Sequence, residues 1–281
     1  LQIYCHLSPG EEHVALQRFG SCSDSVSRWM SSNRLKLNPS KTELIWLHSS
    51  RRNPGFIQND IELFGNFITP VRVVRNLGVI LDENMTMLDH ISSVCQRCYY
   101  QLRQIRRVRK SLSAASKLLL VLASVHSRLD YCNSVLHSLP WSRLQLLQSV
   151  LNSAARLIRG LGRFDHITPV LIDLHWLPYP QRISYKICLL MFKCLKGLAP
   201  AYLSDLCVGT AAVVGRSGLR SAARGDLVVP GHRTEWGSRS FAVAGPKCWN
   251  KLPVGLRDLS VGPETFARHL KTHLFRAGFS D

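Results

Sequence analysis

The sequence has 281 residues, 46% hydrophobic and 19% charged, which excludes a disordered tail and suffices for one large or two ordinary domains. Its 36 Lys and Arg against 18 Asp and Glu give a formal net charge of +18, so nucleic acid is the first partner to expect and acidic lipid the second. No apolar run approaches the roughly eighteen residues of a membrane span, and the opening LQIYCHLSPGEE is not a secretory leader.

Nine irregularly spaced cysteines argue against a secreted disulfide scaffold and fit reduced thiols inside a cell. The expected location is the nucleus, the cytoplasm or both, with no membrane partner. The chain starts at Leu1 rather than methionine, which points to a fragment.

The first 85 or so residues mix short strands with one helix. VALQRFGSCSDSVSRWM predicts a helix burying Phe19, Cys22, Val26, Trp29 and Met30. In NRLKLNPSKTELIWLH, Leu35 and Leu37 alternate with Lys36, Asn38-Pro39 turns the chain, and ELIWLH reads as a strand. IELFGNFIT predicts a hairpin turning at Gly65-Asn66, and VRVV and LGVIL are two further strands around Asn76.

From about residue 88 the period becomes helical. Ile91, Val94, Cys98, Leu102 and Ile105 form one apolar face, with Asp89 as its cap. SAASKLLLVLASVHSRL predicts a second helix buried on more than one side. A third carries the stripe Leu144, Leu147, Leu151, Ala154 and Ile158 and stops at Gly160 and Gly162. Two more, cored at residues 169–175 and 183–195, bracket Pro178 and Pro180. Residues 208–262 are rich in Gly, Ser, Arg and Pro and read as loosely organised, and only ETFARHLKTHLF beyond them is plainly helical. The expected class is α+β.

Between Ile91 and Phe164 there are twelve Lys or Arg residues and one acid, Asp130. RQIRRVRKS places Arg103, Arg106, Arg107, Arg109 and Lys110 within eight positions, where a phosphate backbone would displace counterions.

The chemical motifs are sparse. In NPSKTE, Lys41 is either a solvated charge or an amine beside a phosphate, and the residues alone do not decide. Cys95-x-x-Cys98 falls within a helix with no matching Cys or His pair, so buried thiols are favoured over a metal or redox site. There is no nucleophile elbow and no phosphate-cradling glycine loop, and the front of the chain has no Asp-Asp. LHWLPYPQRISYK reads as a junction anchored by Trp176, with Arg182 and Lys186 facing water rather than stacking or binding bases. RSFAVAGPKCWNKLPVGLR reads as an apolar loop or short elements pinned by Phe241 and Trp249.

Taken in order, several stretches carry a resemblance: WMSSNRLKLNPSKTE, VRNLGVILD, LDYCNSVLHSLP, LQSVLNSAARLI, ITPVLIDLHWLPYPQRISYKICLLMFKCLKGLAPAYLSDL, VPGHRTEWGSRSFAVAGPKCWNKLP and FARHLKTHLF. Together they resemble the reverse transcriptase of non-LTR retrotransposons of the jockey and related types, over nearly the whole chain. The resemblance implies the C-terminal part of an RNA-directed DNA polymerase, beginning just after the Tyr-Ala-Asp-Asp motif. It implies a partial palm with β-hairpins and primer grip over residues 1–86 and a helical thumb over 87–164. A helical connection would span 165–207, and a basic C-terminal region with a terminal helix 208–281.

Lys41 would be an accessory group near the nucleotide phosphates, and Leu77, Gly78 and Val79 would form the primer grip. Arg97, Arg103, Arg106, Arg107, Arg109 and Lys110 would touch the backbone of an RNA template and DNA primer duplex. The catalytic aspartates, fingers and endonuclease would lie upstream. Magnesium is expected in the intact enzyme and no cofactor in this chain, so the chain alone is expected to be inactive. The alternative is a non-enzymatic nucleic-acid-binding remnant of a mobile element.

Overall fold

The structure, a computed structural model, describes residues 2–6, 11–36, 38, 41–48, 60–63, 65–215 and 217–279. The chain forms two compact units, Leu1–Asp89 and His90–Asp281.

The first unit opens with helix α1 (Glu12–Ser32). Its inward face is Ala15, Phe19, Ser23, Val26 and Met30, spaced at three and four residues. Cys22 and Trp29, expected on that stripe, are exposed, Trp29 at 61%. Each sits one position before a member of the face, about 100° around the helix. Arg34 takes the left-handed conformation (φ 58°), while the Arg34 and Leu35 amides donate to Ser31 and Met30 and satisfy the last carbonyls.

Two small antiparallel hairpins follow. β1 (Ile61–Leu63) pairs with β2 (Asn66–Ile68), and β3 (Val73–Asn76) with β4 (Val79–Asp82). The first turn comes one residue earlier than expected, because Asn66 already pairs with Leu63 while Gly65 supplies a φ of 69°. Phe64 lies outside the described residues, as do Leu37 and Pro39 of the expected alternation and turn. The second hairpin turns at Leu77-Gly78 rather than around Asn76, so both strands start two residues later than VRVV and LGVIL suggest.

ELIWLH is not a strand. Among the described residues, Val71 N–H bonds to Leu44 O (2.8 Å) and His48 N–H to Glu83 O (3.0 Å) without forming a continuous ladder.

Helix α2 (Leu88–Val108) starts one residue before Asp89, so that carboxylate lies inside the first turn and is not the cap. Asp82 instead closes the turn that leads into the helix, accepting from the Thr86 and Met87 amides at 2.8 Å each, and the first helical amide, Leu88 N–H, donates to Thr86 Oγ1.

In the second unit the expected face of α2 is buried, together with His90. α3 (Ala114–Val121), a π turn (Leu122–His126) and α4 (Ser127–Asp130) make one helical run opened by Ser113, whose Oγ accepts from Ser116 N–H. Only one face is buried, through Val121, Val125, His126 and Leu129. Leu119 is 69% exposed, against the expectation of burial on several sides. α5 (Trp141–Arg159) buries its predicted stripe and ends at Gly160 with φ 72°. α6 (Thr168–Asp173) precedes α7 (Tyr179–Leu195), whose first amide donates to Gln148 of α5 at 2.7 Å.

The C-terminal region is not loose. After the short α8 (Ala201–Ser204), α9 (Arg220–Ala223) and α10 (Glu235–Arg239) comes α11 (Phe241–Asn250), which buries Val243, Ala244, Gly245, Pro246, Cys248 and Trp249. α12 (Pro263–Phe279) completes the unit. α5, α11 and α12 all pack on α7, and Phe192 of α7 stacks on Phe266 of α12 with ring centroids 4.1 Å apart. Gly245 is required by this packing, since a Cβ there would overlap Met191 Sδ.

The side-chain amide of Asn250 holds Leu227 through two 2.8 Å bonds, mimicking a strand partner. Beside it, Arg257 forms a buried ion pair with Asp226. Burial alone would raise the Asp226 carboxyl, but hydrogen bonds from Arg257 and Arg224 hold it below its ordinary value. Segments 90–164, 165–207 and 208–279 thus contribute to one packed unit around α7.

Candidate nucleic-acid interface

α2 separates its chemistry by face. Ile91, Val94, Cys98, Leu102 and Ile105 turn inward, and Arg97, Arg103, Arg106 and Arg107 are exposed. Arg109 and Lys110 continue the cationic end in a one-turn 3-10 segment, Arg109–Ser111, and are also exposed. Arg106 and Arg107 stand in the last turn of α2, where positive charge also complements the carbonyl end of the helix dipole. That stabilisation accounts for one or two cations at a helix end, not for five in eight positions.

The cluster lacks intramolecular neutralisation. Among the described residues, Arg103, Arg106, Arg109 and Lys110 make no ion pair. Arg97 bonds to Ser93 O at 3.2 Å and Arg107 to Gln104 Oε1 at 3.4 Å, both on their own helix. Asp130, the one acid between Ile91 and Phe164, is taken by Arg182 of α7, whose Nε donates at 2.8 Å. Other cations of the stretch are engaged elsewhere: Arg128 with Ser124 O, Arg156 with Asp165 O and Arg159 with Asp173. The exposed cations on and just after α2 are therefore left facing solvent.

Not all of them share one surface. Arg103, Arg106 and Arg107 follow at three and four residues and occupy one broad outward flank, with Arg109 and Lys110 just beyond. Arg97 is six residues before Arg103, about 120° away around the helix, and stands apart from the cluster.

No family model, curated protein or solved structure matches the chain. The site therefore rests on its own geometry and on the order of the motifs. In the first unit, Lys41 is exposed at a turn where Asn38 O accepts from its amide and from Thr42 Oγ1, while Pro39 and Ser40 of the same motif lie outside the described residues. Leu77 and Gly78 have φ values of 46° and 85°, the positive pair of a two-residue hairpin turn. Leu77 is 82% exposed at its tip and Val79 is 7% exposed beneath it.

Cys95 and Cys98 are free thiols, pushed up by burial to about 11 and about 12, with Cys98 Sγ against Val125 O. Among the described residues no three His, Cys, Asp or Glu side chains gather closely enough to hold a metal. Nor is any helix among them long and apolar enough to cross a membrane.

Two groupings escaped the sequence reading. One surrounds Arg182, which was expected to face water. Its guanidinium instead bonds Asp130 and lies 3.2 Å from His126 Nδ1, while Tyr179 OH donates to Leu129 O at 2.9 Å. The His126 ring meets Trp176 edge-on at 4.1 Å. The isolated acid in so basic a stretch was the available signal, because a half-buried carboxylate there needs a cation. The other joins His137, Cys188 and Cys248, three residues spread over more than a hundred positions with no motif spacing.

Proposed function

We propose that this chain is the C-terminal part of an RNA-directed DNA polymerase of a non-LTR retrotransposon, and that it grips the template–primer duplex. The observation that carries this reading is the exposed cationic end of α2 and the following turn, Arg103, Arg106, Arg107, Arg109 and Lys110, with no acidic side chain among the described residues paired to it. The ordered resemblance of the motifs supports the duplex as the polyanion. Guanidinium groups suit this task because each offers several donors to phosphate oxygens and stays charged at any physiological pH.

The chain's share of the work is positioning. The two-cation chemistry of nucleotide addition requires clustered carboxylates, which the described residues do not gather. No step of that chemistry is assigned to residues of this chain, and purified 1–281 is expected to add no nucleotides.

The test is binding of a labelled RNA/DNA hybrid across a salt series from about 50 to 200 mM, where phosphate neutralisation shows as a steep loss of affinity. Changing Arg103, Arg106, Arg107 and Arg109 together to Gln should weaken binding and flatten the log–log salt slope by about 0.7–0.9 for each phosphate no longer neutralised. Changing Arg97 alone should matter less, since it stands apart. A slope left unchanged by the fourfold variant removes this surface from the interface and, with it, the reading.

A further inference from the structure

α7 carries two buried thiols, Cys188 and Cys194, and each meets a second cysteine from another part of the second unit. Cys194 meets Cys207, which follows α8; Cys188 meets Cys248 of α11. All four are free thiols.

The two pairs differ in what surrounds them. Cys207 lies 3.4 Å from Leu203 O and 3.8 Å from Met191 Sδ, and burial pushes its thiol up to about 12. Its partner Cys194 is pushed up by burial as well, so this pair has no activated thiol to start an oxidation. Cys248 Sγ lies 3.2 Å from Nε2 of His137, whose Nδ1 is within 2.9 Å of Ser138 Oγ. The Cys188 thiol hydrogen-bonds to Cys248, and Lys251 adds positive charge from the end of the same helix. The Cys188 and His137 hydrogen bonds, with the charges of His137 and Lys251, outweigh burial and bring the Cys248 thiol down from its ordinary value. Its partner moves the other way: Cys188, the donor, is pushed up by that hydrogen bond and by burial.

We propose that Cys248 is a peroxide-reactive thiolate and Cys188 its resolving partner, so that mild oxidation joins α7 to α11 through a disulfide. Exposure sets the order, since Cys248 keeps 7% and Cys188 only 1%. In the first step the Cys248 sulfur attacks one peroxide oxygen and the O–O bond breaks. Hydroxide departs, takes up at His137 Nε2 the proton that the Cys248 thiol passed to it, and leaves as water, with Cys248 now a sulfenic acid. In the second, Cys188 gives up its proton and attacks the Cys248 sulfur. The S–O bond breaks, the S–S bond forms, and the hydroxide leaves with that proton as water. Two thiols are oxidised and one hydrogen peroxide is reduced to two waters. This device is independent of duplex binding.

The test treats the full chain with hydrogen peroxide, blocks residual thiols and maps tryptic peptides by mass spectrometry. The expected product is a linked pair of peptides carrying Cys188 and Cys248, formed before exposed Cys5 and Cys22 are oxidised. Cys188→Ser should stop at a Cys248 sulfenic acid that dimedone captures. The pH profile separates activation from mere packing. The wild-type rate should be nearly flat across neutral pH, whereas His137→Ala should be about tenfold slower at pH 7 and recover toward about pH 8.5, the ordinary thiol range. Oxidation that reaches Cys5 and Cys22 first with no Cys188–Cys248 link overturns the proposal, and this readout needs no variant to fold. An unchanged profile in a folded His137→Ala overturns the role of the imidazole.

Discussion

Arg182 can only donate hydrogen bonds, so the His126 Nδ1 at 3.2 Å accepts and the ring proton sits on Nε2. That Nε2 is buried with no hydrogen-bond partner among the described residues, in a residue 6% exposed. Burial first, and the Arg182 guanidinium second, hold the imidazole at about 3, with Asp130 opposing in part. A folded pKa below the unfolded value of about 6.5 means that the unfolded chain takes up the proton first. Stability from this residue is therefore complete above about pH 6.5 and lost as pH falls toward 3. The expected slope is about 1.4 kcal/mol per pH unit for one such group. Urea unfolding of the full chain between pH 7 and 4.5 should show it, with a shallower dependence in His126→Gln. An identical slope in the variant would assign the acid sensitivity to other groups such as buried His90, also held low by burial and by Arg97.

At the scale of elements, what could be read in advance was whatever helical periodicity alone determines. The inward faces of α2 and α5 follow from apolar spacing, and both are buried as read. The run from α3 to α4 was misjudged because Leu118 to Ala123 is apolar all round, and composition there does not say which side the rest of the unit covers. Its buried positions, Val121, Val125 and Leu129, recur at every fourth residue, and the wider π turn helps keep them on one side. α11 was missed for another reason. Gly245-Pro246 reads locally as a break, but Gly245 is what admits Met191, and the packing on α7 overrides the local preference. Gly245→Ala should accordingly destabilise the chain by about 1–3 kcal/mol, the range for overpacking a core. Met191 is fully buried, so its thioether has little room to swing aside. A thermal melt that does not move would mean that the close approach of α7 and α11 is softer than described.

For the whole molecule, charge was legible and partnership was only half so. A net charge of +18 was visible at once, and so was the basic stretch beginning at Ile91. Which cations remain available was not, because that depends on contacts between residues far apart in sequence. Asp130 and Arg182 are 52 positions apart, and their pairing withdraws the single local acid from the exposed arginines. The change near residue 88 from strand to helical period marks nearly the same place as the division between Asp89 and His90. No comparable signal announces that residues 208–279 belong with α7, since their contribution is a few large side chains, Trp249 and Phe266 foremost, rather than a periodic pattern.

The tip of the second hairpin has a cost that its sequence need not have incurred. A turn with positive φ at both central positions suits Asn-Gly, and here a leucine occupies the first of them, 82% exposed. Leu77→Asn should make the hairpin more stable by about 1 kcal/mol, readable as slower amide hydrogen exchange at Asn76 and Val79. A backbone relaxed in this way, yet a chain less able to hold its hybrid duplex, would identify that leucine as a sacrifice of local comfort to binding.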